Sequence, residues 1–577
     1  MATLFDDASL VMLPSGYKDD KLYSIKPTDG SGDFTFSRDG SGASPATRVN
    51  SAGIIEKGRT NLLLQSNQFD TTWTTSAVSL TSGQAGYDGT NDAWLLESTG
   101  ANAQVRQFYT GITDVVTYSI YAKVGSVDWI RMNLSGAGNE YFDIANGVVG
   151  VGGSNSLMPT ITSVGGGWYR CTITNVTGNS QNSVYVFTAT ADGSLSTSAG
   201  DNVYIQDAQL EKGLVATNYI ATTTAAASAG ILGDMPRLDY SGGATCPSLL
   251  LEPARTNAVS QSEYLNAVWG KTSVSVTTNA AVSPEGVQNA AKLVEANASS
   301  FHFLSFGTTI NAEPTTFSFY AKAAERTSVS AFLSQSGNVG AEFDLSAETA
   351  TATGTGNTAS IESVGNGWYR CVVINNGSAD LNNSVRIGIQ NGALNSYQGD
   401  GTSGVYIWGA QLEINASYPT SYIPTHGSAT ARGGDDMNDS TFTALPNASL
   451  TIFFEVGDWA GSEGNNYQLR FIDSSGNRQI QFRNRPEGWR WLVVNDAGSA
   501  AYLHTANYTY RKMAVRYNGT NYQLFANGSA VGSAFAANDA GVLDTFQSFS
   551  IGVMGVKQML CFPTALTDAE CIALTTL

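Results

Sequence analysis

Apolar and polar residues alternate with period two along most of this chain. Tyr118-Ser119-Ile120-Tyr121-Ala122-Lys123, Cys171-Thr172-Ile173-Thr174 and Val184-Tyr185-Val186-Phe187-Thr188 each turn one side toward a core and the other toward water. Between such runs stand turn signals, among them Ser135-Gly136-Ala137-Gly138-Asn139 and Val164-Gly165-Gly166-Gly167. The pattern predicts an all-β protein whose strands bury their apolar sides in two face-to-face antiparallel sheets, a jelly roll being the usual solution at this length. One helix is predicted, at the end of the chain, where Thr567 with Glu570 three residues on forms a capping box before an apolar run.

The strand pattern is written twice. Gly165-Gly166-Gly167-Trp168-Tyr169-Arg170-Cys171 returns about two hundred residues later as Gly365-Asn366-Gly367-Trp368-Tyr369-Arg370-Cys371. Thr117-Tyr118-Ser119-Ile120-Tyr121-Ala122-Lys123 returns as Thr316-Phe317-Ser318-Phe319-Tyr320-Ala321-Lys322, and Ala208-Gln209-Leu210-Glu211 as Ala410-Gln411-Leu412-Glu413. So long a period marks a duplicated domain, since solenoid repeats run to about 20–50 residues. The connectors are repeated too: Gly32-Asp33, Gly233-Asp234 and Gly434-Asp435 are evenly spaced, and Arg59-Thr60-Asn61 matches Arg255-Thr256-Asn257. This divides the chain into an N-terminal attachment segment (1–56), jelly rolls at 57–222 and 255–426 joined by a connector (223–254), and a third module (427–577) outside the repeat. That third module has its own strands, Ser449–Val456 and Lys512–Tyr517 among them, and Asn-Gly hairpin turns at Asn518-Gly519 and Asn527-Gly528.

Composition narrows the function. Thirty Lys and Arg stand against 48 Asp and Glu, a net charge of −18, so no basic surface is predicted that could neutralise nucleic acid or an anionic membrane. The five cysteines have neither Cys-x-x-Cys nor metal-ligand spacing, and Cys171 and Cys371 fall in apolar strand patterns as buried thiols. The N-terminus lacks a basic stretch followed by an apolar one, and no window approaches 18 consecutive apolar residues. The expectation is a protein assembled in a cytoplasm and released by lysis, with no membrane insertion.

The order Arg-Thr-Asn, Tyr-Ala-Lys, Gly-Trp-Tyr-Arg and Ala-Gln-Leu-Glu, ending in Tyr422-Ile423-Pro424-Thr425, resembles the carbohydrate-binding-module-like jelly rolls of tailed-bacteriophage structural and fibre proteins. Met513–Thr520, Phe525-Ala526-Asn527-Gly528 and Leu566-Thr567-Asp568-Ala569-Glu570 resemble a C-terminal concanavalin A-like or laminin G-like lectin domain. The resemblance implies a non-enzymatic tail or head fibre of a virion, a homotrimer. It would hold other virion proteins through its N-terminal segment and host-surface glycans through its end module. Two other readings stay open: a virion depolymerase of glycans, and a purely architectural capsid or tail protein.

Candidate chemistry is sparse. His302, His426 and His504 stand beside no nucleophile motif, and no Gly-x-Ser-x-Gly or His-Glu-x-x-His occurs. Glu342 and Asp344 resemble a glycosidase acid pair, but Tyr141 takes the place of Glu342 in the first copy. Asp143 and Asp344, kept in both copies, suit an ion or a turn amide, and the turn is the expectation. Sugar binding needs an aromatic face with a few groups to orient hydroxyls. Its candidates are Trp459, Trp489 and Trp491 with Arg483, Asn484 and Asn495, and Trp408, which stands where the first copy has Gln206. Trp168 and Trp368 are read as fold residues, with Arg170 and Arg370 pairing a repeated acid such as Glu211 and Glu413 or pinning a strand edge. Asp435, Asp436 and Asp439 cluster oxygen donors as Ca2+ requires, with a solvated connector as the other reading.

Overall fold

The computed structural model describes residues 2–576 except 41, 154–156, 177–180, 311–312, 334–338, 378–383, 440–444, 446–447, 461–466, 474, 476–477, 486–487, 495–499, 505–509, 537–542 and 549–552. It is all-β, with every named strand pair antiparallel.

In the first jelly roll one sheet runs in the order Thr160–Gly165, Trp168–Asn175, Val116–Val124, Asn202–Lys212, Ala93–Ser98, Val78–Gln84. The facing sheet runs Val148–Val149, Gly138–Asp143, Trp129–Leu134, Gln181–Ala189, Gln104–Ile112, Thr74–Ser76. Their inward residues, including Tyr118, Ile120, Ile130, Met132, Cys171, Ile173, Val184 and Val186, form one buried cluster. The second jelly roll reproduces this order strand for strand, from Gly270–Thr272 and Val274–Ala281 to Gly404–Ile414, with one added strand, Ser396–Gln398.

The Arg-Thr-Asn motif closes each sandwich. Asn61 donates to the carbonyls of Ala208 and Ile220 at 3.1 and 2.9 Å, and its Oδ1 accepts from the amides of Leu63 and Leu210. Asn257 makes the same four bonds, to Ala410, Ile423, Val259 and Leu412. A carboxamide has two donors and an acceptor with two lone pairs, so each side chain is fully satisfied inside its core.

The third body is assembled from three parts of the chain. Its first sheet takes in Leu10–Met12, Arg237–Asp239 and Ser248–Leu251 beside Val553–Phe562 and Leu450–Ala460. Its second takes in Tyr17–Lys18, Lys21–Leu22 and Phe34–Ser37, which join through Asp436–Asp439 to Leu543–Ser548. Phe34, Phe36, Leu238 and Leu249 are buried in one core with Phe454, Phe471 and Trp491. The opening helix, Ala2–Asp7, contributes Leu4 to a cluster with Phe562 and Leu574 of the closing helix, Asp568–Thr575, which carries the predicted capping box. Of the N-terminal segment expected to serve for attachment, the part up to Ser37 is thus folded into the sandwich that ends the chain, while the hairpin Thr47–Val49 and Ile55–Lys57 packs on the second jelly roll. Unpaired strand edges on that sandwich are what the part up to Ser37 satisfies.

The connectors meet in a buried charge network. Asp435 pairs with Arg38 at 2.8 Å and with Arg237, and Glu252 accepts from Arg237 and Arg432 at 2.7 Å each. Burial alone would raise the Glu252 carboxyl, but the two guanidiniums outweigh it and hold it down at about 2.

Candidate functional site

Two of the tryptophans expected to stack on sugar are core residues. Trp491 is fully buried, 5.1 Å from Phe482 and 5.8 Å from Phe454. Trp408 is fully buried against Tyr320 and Tyr422. Burying so large an apolar surface outweighs whatever an exposed ring would gain. Trp459, Asn484 and Trp489 lie on strands, but their side chains fall outside the described residues, as Asn495 does entirely. Arg483 donates to Gln481 at 2.7 Å. The calcium reading is corrected at Asp435, whose carboxylate is held by two arginines; Asp436 sits on a strand facing Ser37, and Asp439 is buried opposite Phe546. Asp143 and Asp344 cap turns as expected, Asp344 accepting from the amides of Ser346 and Ala347. Arg170 and Arg370 pair with no repeated glutamate: each donates to a neighbouring-strand serine, Ser119 or Ser318, at 3.0 and 3.1 Å. Glu211 and Glu413 are taken up by local bonds to Thr217 and Thr420.

Trp408 belongs to a plugged pocket in the second jelly roll. Lys57, from the hairpin that precedes the first jelly roll, inserts its ammonium 2.6 Å from Glu263 and 2.5 Å from Glu285, and 5.3 Å from the Trp408 ring. Burial would raise Glu285, but Arg59 and Lys57 override it and hold it at about 2. A cleft of about 450 Å³ beside this point is lined by Lys57, Arg59, Asp114, Lys212 and His426. Its long cations are engaged, Lys212 with Asp114 at 2.5 Å and Arg59 with Glu285. Burial pushes the His426 imidazole down to about 4.

The matching place in the first jelly roll is filled from within. Tyr87 stacks on Tyr121 at 3.8 Å and donates to Asp207 at 3.0 Å. Burial raises the Asp207 carboxyl to about 7, with Asp92 and Asp88 adding to the rise against the hydrogen bonds from Tyr87 and Tyr219. Asp207 occupies a bulge at φ 54°, where the second copy has Gly409 at φ 64°.

The outer face of one sheet of the first jelly roll is the surface suited to a ligand. Register places Arg106, Tyr185 and Asn133 side by side across three strands, and Gln104, Phe187, Arg131 and Tyr141 in the next row across four. Arg106 lies 4.9 Å from the Phe108 ring and 5.9 Å from Tyr185, Tyr185 and Phe187 stack at 5.8 Å, and Arg131 lies 3.7 Å above Phe187. Phe108 is 57% exposed, and Tyr185, Arg106, Arg131, Trp129 and Asn133 are half-buried. The side chains of Gln104 and Asn133 make no hydrogen bond among the described residues. Flat rings flanked by unsatisfied amides and guanidiniums can hold the apolar face of a polar ring compound and orient its hydroxyls.

The second jelly roll does not keep this surface. Ser305, Arg386 and Phe332 replace the first row, and Phe303, Gly388, Ser330 and Glu342 the second. Sequence reading passed over the face, although one signal was available: Arg106, Phe108, Tyr185 and Phe187 are bulky residues in the water-facing phase of alternating strands.

No family model matches the chain, and no curated protein does. Among solved structures it is similar to the CBM40 of the Ruminococcus gnavus IT-sialidase bound to α2,3-sialyllactose, at 18% identity over 23% of this chain and 84% of that one, with a TM-score of 0.18. It is also similar to the CBM22-1–CBM22-2 tandem of Paenibacillus barcinonensis Xyn10C, at 11% identity over 64% and 99%, with a TM-score of 0.20. The LG1–3 region of the laminin α2 chain matches at 8% identity over 80% and 98%, with a TM-score of 0.13. Likenesses at these scores carry no argument about this chain's ligand, which has to come from its own residues.

Proposed function

We propose that this protein binds host-surface glycans without turning them over, as a fibre or appendage protein of a tailed-phage virion, and that the outer face of its first jelly roll is the contact. The supporting observation is the group of exposed and half-buried rings and amides at Phe108, Tyr185, Asn133 and Gln104, the last three replaced in the second copy by Arg386, Phe332 and Phe303. Rings that stabilise no core stay on a surface when something else selects them. The virion setting rests on the sequence resemblance. In that setting the protein assembles in the host cytoplasm, leaves by lysis and works as a homotrimer, whose three faces add avidity to a shallow site. The body built from both chain ends is then the part left to hold other virion proteins.

The test is a glycan array probed with the full chain beside Tyr185→Ala and Phe108→Ala. Wild type binds and both variants lose signal, with melting temperatures unchanged. An array silent for wild type would sink the adhesion reading in favour of architecture, and reducing ends released from host polysaccharide by the purified chain would overturn the non-catalytic one.

A further inference from the structure

The charge on the proposed face names a class of saccharide, an inference that rests on reading the face as a saccharide site. Five arginines of this acidic protein, Arg38, Arg59, Arg237, Arg326 and Arg432, each pair with a carboxylate. Arg106 and Arg131 are different. Among the described residues neither has a carboxylate within ion-pair distance, and their contacts are to rings: Phe108 and Tyr185 for Arg106, Phe187 and Tyr141 for Arg131. A guanidinium lying on a ring spends its flat face there and keeps its N–H groups, which point outward in its plane, for a planar anion.

We infer that the outer face of the first jelly roll takes a saccharide bearing carboxylates, with Arg106 and Arg131 each gripping one. The strand Gln181–Ala189 lies between the two that carry these arginines. The forks therefore stand about 12 Å apart at the backbone, two strand spacings across and two residues along. That separation suits carboxylates on different sugar units of an acidic chain, with Tyr185 beneath the stretch between them. The second copy has Ser305 and Ser330 at the two arginine positions, keeps one guanidinium on a ring, Arg386 4.5 Å over Phe303, and sets Glu342 on the same face, so it lacks the pair of forks. A net charge of −18 repels acidic polymers in general, so any preference for them has to come from a local patch.

The experiment titrates the full chain with oligomers of galacturonate, glucuronate and mannuronate, each beside its methyl ester, which keeps the ring and removes the charge. At least one acid is expected to bind about tenfold more tightly than its ester, an advantage that shrinks as salt is raised. Arg106→Gln with Arg131→Gln abolishes the advantage, so that the acid binds no more tightly than its ester. Arg106→Lys with Arg131→Lys, which keeps charge and stem but not the planar fork, retains an intermediate advantage, and melting curves of both pairs match wild type. Equal binding of acid and ester through a Tyr185-dependent site overturns the acidic class alone. An acid preference that survives the glutamine pair overturns the role of the arginines. No binding of either form, with nothing for Tyr185→Ala to remove, takes down the saccharide reading of the face as well.

Discussion

The two jelly rolls share their strand order, apart from one added strand in the second, the same asparagine clamp and the same Trp-Tyr-Arg-Cys strand, yet they part at a pocket and at a sheet face. One is the pocket beside that strand, which the first copy fills with its own Tyr87 and the second with Lys57 from a distant hairpin. The other is the outer sheet face, with two arginines on rings and the exposed Phe108 in the first copy and in the second a single such arginine, Arg386 on Phe303, beside Ser305, Ser330 and Gly388. Residues that bury apolar surface are held constant by packing, and the outer positions are free of that constraint. The comparison separates what the sandwich needs from what it carries: the pocket locks the modules to one another, and the face meets the outside.

The largest effect should fall on the lock. Lys57→Ala strands Glu263 in a buried site and is expected to destabilise the second jelly roll by about 4 kcal/mol, read as an earlier denaturant transition, while Lys57→Met with Glu263→Gln recovers most of it. An equal loss in the first jelly roll would break the comparison. Next come the clamps: Asn61→Ala and Asn257→Ala each leave four buried partners unsatisfied and should cost about 3 kcal/mol, in the first and second copy respectively. Markedly unequal losses would show that the matching bonds are not matching in energy.

The pockets should also respond to pH with opposite sign. Asp207 has a folded value of about 7 against about 4 for an unfolded aspartate, so between those values the folded state holds a proton that the unfolded state has released. Stability of the first copy then falls as pH rises from about 4 to about 7, by about 1 kcal/mol per unit in mid-window. Asp207→Asn flattens the slope. Glu285, held at about 2, contributes stability that is present above its unfolded value of about 4 and lost as pH drops toward 2, so the second copy weakens in acid. Thermal melts across pH 2–8 would show both. The smallest effect is on the face: Tyr185→Ala should weaken glycan binding by about 1 kcal/mol, roughly fivefold, whereas Arg386→Ala at the matching position of the second copy leaves it unchanged in the same titration.

Much of this was legible in the sequence. Period-two alternation and the repeat of Gly-Trp-Tyr-Arg-Cys fixed the fold class and the duplication, the terminal helix was written in Thr567 and Glu570, and Asp344 was rightly read as a turn residue. These features depend on neighbours within a few positions. The site was less legible. Trp491 and Tyr185 both sit on alternating strands, and only the second layer of the sandwich determines which phase is covered.

By itself, then, the sequence determined that the chain is built of β-sandwiches, that one of them is used twice, and that a capped helix ends it, because strand period, turn chemistry and capping are local. Tertiary structure alone decided that the opening residues complete the closing sandwich, that Asp435 serves two arginines, that Lys57 and Trp408 lock a joint, and that Arg106 and Arg131 share one open face. Each of those facts joins residues far apart in the chain, and which distant edges and charges meet is set by burying surface and pairing charge across the whole fold.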